Sequence, residues 1–282
     1  LWSFGPYVVR HIDEAQQVPW QYLFTRGIVI FTILNLYLYL EEGKEFIKNY
    51  TKIGISGVIG GVGLGVAMIT FIYSITNTTA AVTLLCLAAM PFITALLGFL
   101  FLKEMISMNV WVAIIIAAFG IIIMSIDNTG KNTFAGLVFG IASSIGFSVF
   151  SISLRWRKET PKFTTVAIAG LFCCFFSAAM IIFNDLNFLS TGKNQALFAS
   201  HGTLVCLGLI LYSIGSKNIP AAELTLLSLT EVIGGIFWVW IPILGINEIP
   251  SQGTVIGGFF IFLSIIYYSL IIRSNRRFIG LN

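Results

Sequence analysis

The sequence predicts an all-α polytopic membrane protein of ten transmembrane helices, the first incomplete, arranged as two inverted five-helix repeats. Three observations carry this expectation. Hydrophobic residues make up 57% of the chain and charged ones 10%, against about 45–50% and about 25% in soluble domains; mean hydropathy is +0.93. Apolar runs close to the roughly 20 residues that span a hydrocarbon core recur from end to end. One phrase is also written twice. Tyr73-Ser74-Ile75 is followed by Ala80-Ala81 and Thr83-Leu84-Leu85-Cys86-Leu87. Tyr212-Ser213-Ile214 is followed by Ala221-Ala222 and Thr225-Leu226-Leu227-Ser228-Leu229. Each half thus carries the same embedded unit, and such repeats often meet around a midplane substrate site in transporters.

The segments follow in order. Leu-Trp-Ser-Phe-Gly-Pro opens the chain like the second half of a helix, so residues 1–12 are expected to be the tail of a first segment whose upstream part is missing. Apolar runs then place segments at 19–40, 53–75, 79–102 and 109–126. The third holds a small stripe, Gly57, Gly60, Gly61, Gly63 and Gly65, which lets helices approach closely. Pro91 interrupts the fourth and is expected to free a carbonyl toward a cavity. A polar break, Asp127-Asn128-Thr129-Gly130-Lys131-Asn132, follows. The expected division is therefore 1–126, a linker at 127–133, and 134–282. Further segments are expected at 134–155, 163–183, 199–216, 221–245 and 254–273, with Gly234-Gly235 as a break in the ninth.

Lys and Arg set the orientation. Lys44, Lys48, Lys52, Lys103, Arg155, Arg157, Lys158, Lys162, Lys217, Arg273, Arg276 and Arg277 fall on alternate loops or the tail, and the intervening loops are poor in base. Both termini are expected in the cytoplasm of a cell whose inner (plasma) membrane the chain crosses. Five segments per half, an odd number, invert the second copy. Trp2-Ser3 with Arg10 parallels Phe147-Ser148 with Arg155. Lys103-Glu104-Met105-Ile106-Ser107 parallels Asn247-Glu248-Ile249-Pro250-Ser251.

The stretch Pro91 to Glu104 (PFITALLGFLFLKE), the helix Trp111 to Gly120, and the stretch Leu227 to Glu248 (LSLTEVIGGIFWVWIPILGINE) resemble the drug/metabolite transporter superfamily in its EamA-type branch. Arg26 sits where that family often places an arginine early in the second helix. The ninth helix departs from the pattern, because Glu231 lacks the proline many members place beside it. The resemblance implies ten helices in two inverted repeats, a central cavity and movement of small metabolites, often amino-acid export.

Glu231 is the most informative residue. A carboxyl inside the bilayer costs roughly 2.5–3.5 kcal/mol on insertion scales, so it is expected to bind a substrate amine or carry a proton; the alternative is a structural carboxyl. Arg26 pairs with a carboxylate or, the preferred reading, anchors the helix near the outer surface. Arg10 attracts anionic substrate groups or is an interface residue. Tyr73 and Tyr212, the twin aromatics, line the path or belong to an interfacial belt. Trp2 and Phe147 are favoured as cavity-lining by their matched positions. Glu223, Glu104 and Glu248 read as helix-end residues with structural roles. His11 and His201 lie near outer segment ends.

No cofactor is expected beyond coupling to protons, no metal site, no nucleic-acid partner and no enzyme activity: neither a nucleophile triad nor a metal-ligand spacing stands out. The four cysteines lie in apolar runs and behave as small hydrophobes. The expected protein is a monomer or weak homodimer in the lipid bilayer. It moves small polar metabolites, amino acids or related compounds first, by alternating access, with export favoured. Helices one, three and four would face six, eight and nine. Uptake or exchange of a larger anionic metabolite, and a non-transporting scaffold, are the alternatives.

Overall fold

A computed structural model describes residues 1–103, 108–126, 134–157, 159–217, 219 and 221–278. Those residues form helices and connections. A 3-10 turn at Trp2–Phe4 leads into α1 (Gly5–Arg10). Next come α2 (Pro19–Glu42), α3 (Ile47–Lys52), α4 (Gly54–Asn77), α5 (Ala80–Leu87), α6 (Met90–Leu102) and α7 (Met108–Ile126). The second half holds α8 (Phe134–Trp156), α9 (Lys162–Phe183), α10 (Gly192–Gly215), α11 (Ala221–Ser228), α12 (Thr230–Trp240) and α13 (Gln252–Phe278). Seven helices among the described residues are long and apolar enough to cross a membrane, counting α5 and α6 as one. Trp111–Ile123 and α12 are shorter apolar stretches. The predicted linker 127–133 lies outside the described residues.

Two predicted segments are corrected. The eighth begins at Gly192, seven residues before its expected start, because Thr191 caps it by accepting a hydrogen bond from the Asn194 N–H. The ninth ends at Trp240 and gives way to a 3-10 turn, Pro242–Leu244.

The fourth and ninth segments are each broken, at corresponding places. Leu87 and Leu229 occupy matching positions of the duplicated phrase, and the helices part at Ala88-Ala89 and at Leu229. In the fourth, Pro91 has no N–H to return to the preceding turn. Leu87, four residues before it, and Met90 border a cavity, and serines take up two nearby carbonyls. Ser144 donates to the Cys86 carbonyl at 2.7 Å and Ser148 to that of Met90 at 3.2 Å. In the ninth the break falls before Gly234-Gly235, not at them. Those glycines serve close packing: a Cβ on Gly234 would lie 2.8 Å from Ser3 Cβ, and one on Gly235 2.6 Å from Leu84 Cδ1.

The principal helix pairs cross where side chains vanish. A Cβ on Gly27 of α2 would lie 2.7 Å from the Gly170 carbonyl of α9, and one on Gly170 would lie 3.0 Å from the Gly27 carbonyl. This reciprocity is what a two-fold axis through the crossing produces. The α7–α13 pair also approaches closely. Gly120 abuts the Gly257 carbonyl, and Ser264 donates to the Ala113 carbonyl at 2.5 Å. The glycine stripe of α4 divides between two partners. Gly63 meets the Gly146 carbonyl of α8, while Gly61 and Gly65 meet α9 at Ile168 and Phe172.

Gly27→Ala should therefore destabilise the protein. Backbone atoms occupy the site, so the helices must separate, at a cost of about 1–3 kcal/mol. Thermal melting in nanodiscs would show the loss. Gly192→Ala, where nothing lies within 4 Å, should melt like the parent.

Candidate functional site: a charged chamber between the repeats

A chamber of about 70 Å³ lies where the halves meet. Its walls are mostly apolar: Leu64, Met68 and Phe71 from α4, Met90 from α6 and Val205 from α10. The polar groups are few. Arg26 comes from α2, Ser143 from α8, His201 from α10 and Glu231 from α12. The expected walls, segments one, three, four, six, eight and nine, all contribute. The second adds Arg26.

Arg26 is the main correction. It is not an anchor at the surface but 4% exposed within the bundle. It shares a buried stripe with Leu23, Gly27, Ile30, Leu34 and Leu38, spaced by three or four residues along α2. That stripe faces the bundle because the Gly27–Gly170 crossing seats α2 on α9. Among the described residues, the guanidinium Nε and Nη1 find no hydrogen-bond partner. Arg26 and Glu231 lie within electrostatic reach of one another.

Glu231 is half-buried and sits in the first turn of α12. The sequence suggests a helix interior; the break at Leu229 instead places the carboxyl at a helix start, where the peptide dipoles favour a negative charge. Glu231 also borders a second pocket of about 310 Å³, together with Trp2 and Tyr212. The carboxyl thus stands between the chamber and a neighbouring space.

Trp2 and Phe147 line the chamber, as their matched positions suggest. Their rings meet edge to face at 5.7 Å, and the Trp2 indole donates to the Val205 carbonyl at 3.2 Å. The twin tyrosines diverge. Tyr212 is buried behind Trp2 and Phe147, and its hydroxyl bonds Ser151 at 2.7 Å. Tyr73 lies off the chamber, against Trp20 and Phe139. Pro91 is buried at the start of α6, and its neighbour Met90 lines the chamber instead.

Arg10 does not border the chamber and is the centre of a structural knot. It donates to Glu248 at 2.7 and 3.2 Å and to the carbonyls of Ile75 and Thr78 at 2.7 and 2.9 Å. Glu248 also accepts from the Ala80 N–H at 2.6 Å, so it caps α5. Both side chains are 16% exposed. Arg10→Gln leaves a shielded carboxylate poorly paired and should cost about 2–3 kcal/mol of stability, read as earlier melting. The half-saturation concentration for any cavity substrate should stay unchanged. Glu104 and the side chain of Glu223 lie outside the described residues.

Sequence reasoning missed His201. With α10 starting at Gly192, it lies more than two turns inside the helix and is 2% exposed. It hydrogen-bonds the hydroxyl of Tyr22, a ring stacked on Phe198. The signal was present: Phe198, His201, Gly202, Val205, Cys206, Leu209 and Tyr212 form one stripe at helical spacing. A late segment start hid it.

The comparisons with known proteins agree with this architecture. A sequence model described as the EamA-like transporter family matches residues 1–126. Two curated relatives, from Helicobacter pylori strains J99 and 26695, are each named "Uncharacterized transporter". The first is 26% identical over 232 residues, covering 78% of this chain and 76% of the relative. The second is 27% identical over 236 residues, with the same coverage. One solved crystal structure superposes with a TM-score of 0.65 at 16% identity, covering 97% of this chain and 94% of the other, which is a likeness of fold. Residues 1–126 thus match the EamA-like transporter family, and likeness over most of the chain to two proteins named as transporters supports a membrane transporter.

Proposed function

We propose that the chain moves small zwitterionic metabolites, amino acids first, by alternating access through the chamber, in the direction of export. The observation that carries this reading is the buried Arg26, with two donors unpaired, in the same chamber as Glu231. A guanidinium fork suits a carboxylate, and a carboxylate suits an ammonium. One ligand carrying both groups satisfies both at once. The apolar remainder of the wall suits the rest of a small molecule.

A larger anionic metabolite fits less well. Arg26 is the one cationic side chain among the residues bordering the chamber, and several would be needed to balance a polyanion. The broken fourth and ninth segments supply the moving parts in this reading. They join short half-helices at Ala88-Ala89 and Leu229, and rocking about those joints would open one side while closing the other.

Counterflow in proteoliposomes tests the proposal. Vesicles preloaded with individual unlabelled amino acids should take up the labelled one by saturable exchange, for one chemical class. Well-folded protein that exchanges none across the panel would overturn the amino-acid assignment.

A further inference from the structure

A space larger than the chamber lies elsewhere in the structure. On the face that carries the basic loops, a pocket of about 850 Å³ opens among the ends of α2, α3, α8, α9 and α10. Four cationic residues border it: Lys52, Arg155, Lys162 and Lys217. Lys162 and Lys217 come from different segments and lie within electrostatic reach of each other. Two like charges so placed repel unless an anion sits between them.

The acidic residues of the pocket are Glu41, Glu42 and Glu159. Two of them already have donors: Tyr37 to Glu41 at 2.6 Å and Asn49 to Glu42 at 2.7 Å. Both stand on the α2 side. Glu159 is exposed and precedes α9.

The 22-residue helix α9 starts at the pocket. Pro161 is its N-cap, and no side chain caps it. The first N–H groups of the helix therefore lack a side-chain acceptor. Thr164, in the first turn, borders the same pocket. It is 0% exposed, and its hydroxyl has no partner. A buried hydroxyl left unpaired costs about 1–3 kcal/mol. Its neighbour Thr160 is satisfied, through Ser56 at 2.6 Å. Topology alone accounts for basic residues on this face. It does not account for their convergence on an uncapped helix start beside an unpaired buried hydroxyl.

We propose that this pocket binds a phosphate group, held by Lys162, Lys217, the first turn of α9 and the Thr164 hydroxyl. Backbone N–H groups and the helix dipole would take the anionic oxygens, and the two lysines would neutralise its charge. Such a site lies apart from the transport chamber and does not depend on what the chamber carries. The phosphate belongs either to a soluble phosphorylated compound or to an anionic lipid headgroup.

The test uses the full chain in phosphatidylcholine nanodiscs, melted across a titration of inorganic phosphate, and again in discs doped with phosphatidylglycerol. A saturable rise in melting temperature with inorganic phosphate points to a soluble source. A rise only with phosphatidylglycerol points to the lipid. In either case Lys162→Gln/Lys217→Gln should weaken the midpoint about tenfold or more. A general salting effect of phosphate would persist in that variant and overturn the proposal, as would no rise with either source. Thr164→Val gives an independent reading. Without phosphate it should melt no earlier than the parent, since it removes an unpaired group, and it should bind phosphate more weakly. An unaltered midpoint in Thr164→Val would remove the hydroxyl from the site and overturn the proposed geometry.

Discussion

Arg26→Met should abolish amino-acid counterflow and leave the protein at least as stable as before. Truncating one partner of a desolvated charge pair costs about 2–5 kcal/mol of binding, roughly 30- to 5,000-fold in affinity. The missing partner here is the substrate carboxylate, so the loss falls on transport. Stability moves the other way. The guanidinium is buried with two donors unpaired, and removing such unsatisfied atoms relieves a desolvation cost of about 1–3 kcal/mol. Methionine also fills irregular space well. Counterflow and melting temperature, measured on the same preparation, separate the two effects. Unimpaired exchange in folded Arg26→Met would remove the residue from the substrate site. A large fall in melting temperature would make it a structural ion.

The second large effect belongs to Glu231→Gln. The substitution keeps shape and removes charge. If the carboxylate holds the substrate ammonium, amino-acid exchange should fall by about two orders of magnitude, in line with a lost charge-assisted contact in a dry site. Competition separates ammonium recognition from general damage. The 2-oxo acid corresponding to the substrate lacks the ammonium, so its inhibition should survive Glu231→Gln and be lost in Arg26→Met. The sign of the pH effect follows from the same contact. A carboxylate must be ionised to hold an ammonium, so exchange by the parent should decline as pH falls and protonates it. That limb should be missing from the profile of Glu231→Gln. A mutant with parental rates and a parental pH profile would sink both the binding role and proton coupling through this residue.

Local periodicity made much of the helix order legible. Apolar runs of bilayer length place α2, α4, α8 and α9 within a residue or two of their observed limits, because no water competes for the backbone there and the hydrophobic run itself sets the helix. Where polar residues continue a helix, the reading failed. Asn194, Gln195 and Ser200 lie within α10 and delayed its expected start. That single error moved His201 to a helix end. The break in the ninth segment was misplaced for a related reason. Glycine pairs suggest flexibility, but here they let α12 sit against Ser3, Pro6 and Leu84.

The site was half legible. Glu231 stood out because an ionisable group in an apolar run is rare, and Trp2 with Phe147 stood out because the repeat pairs them. Arg26 could have been found, since it falls on the apolar stripe of α2. Its proximity to the end of the segment favoured an interfacial role instead.

The sequence by itself determined the membrane-spanning class, the duplication and the residues that cannot sit idle in lipid. These properties depend on composition and on spacing along one helix. The tertiary structure alone decided which charges meet. Arg10 and Arg26 lie sixteen residues apart in one chain of similar hydropathy, yet one is tied to Glu248 at the bundle's end and the other opens unpaired into the chamber. That difference arises from the helix crossings, where glycine lets backbones touch and so fixes which face of each helix turns inward.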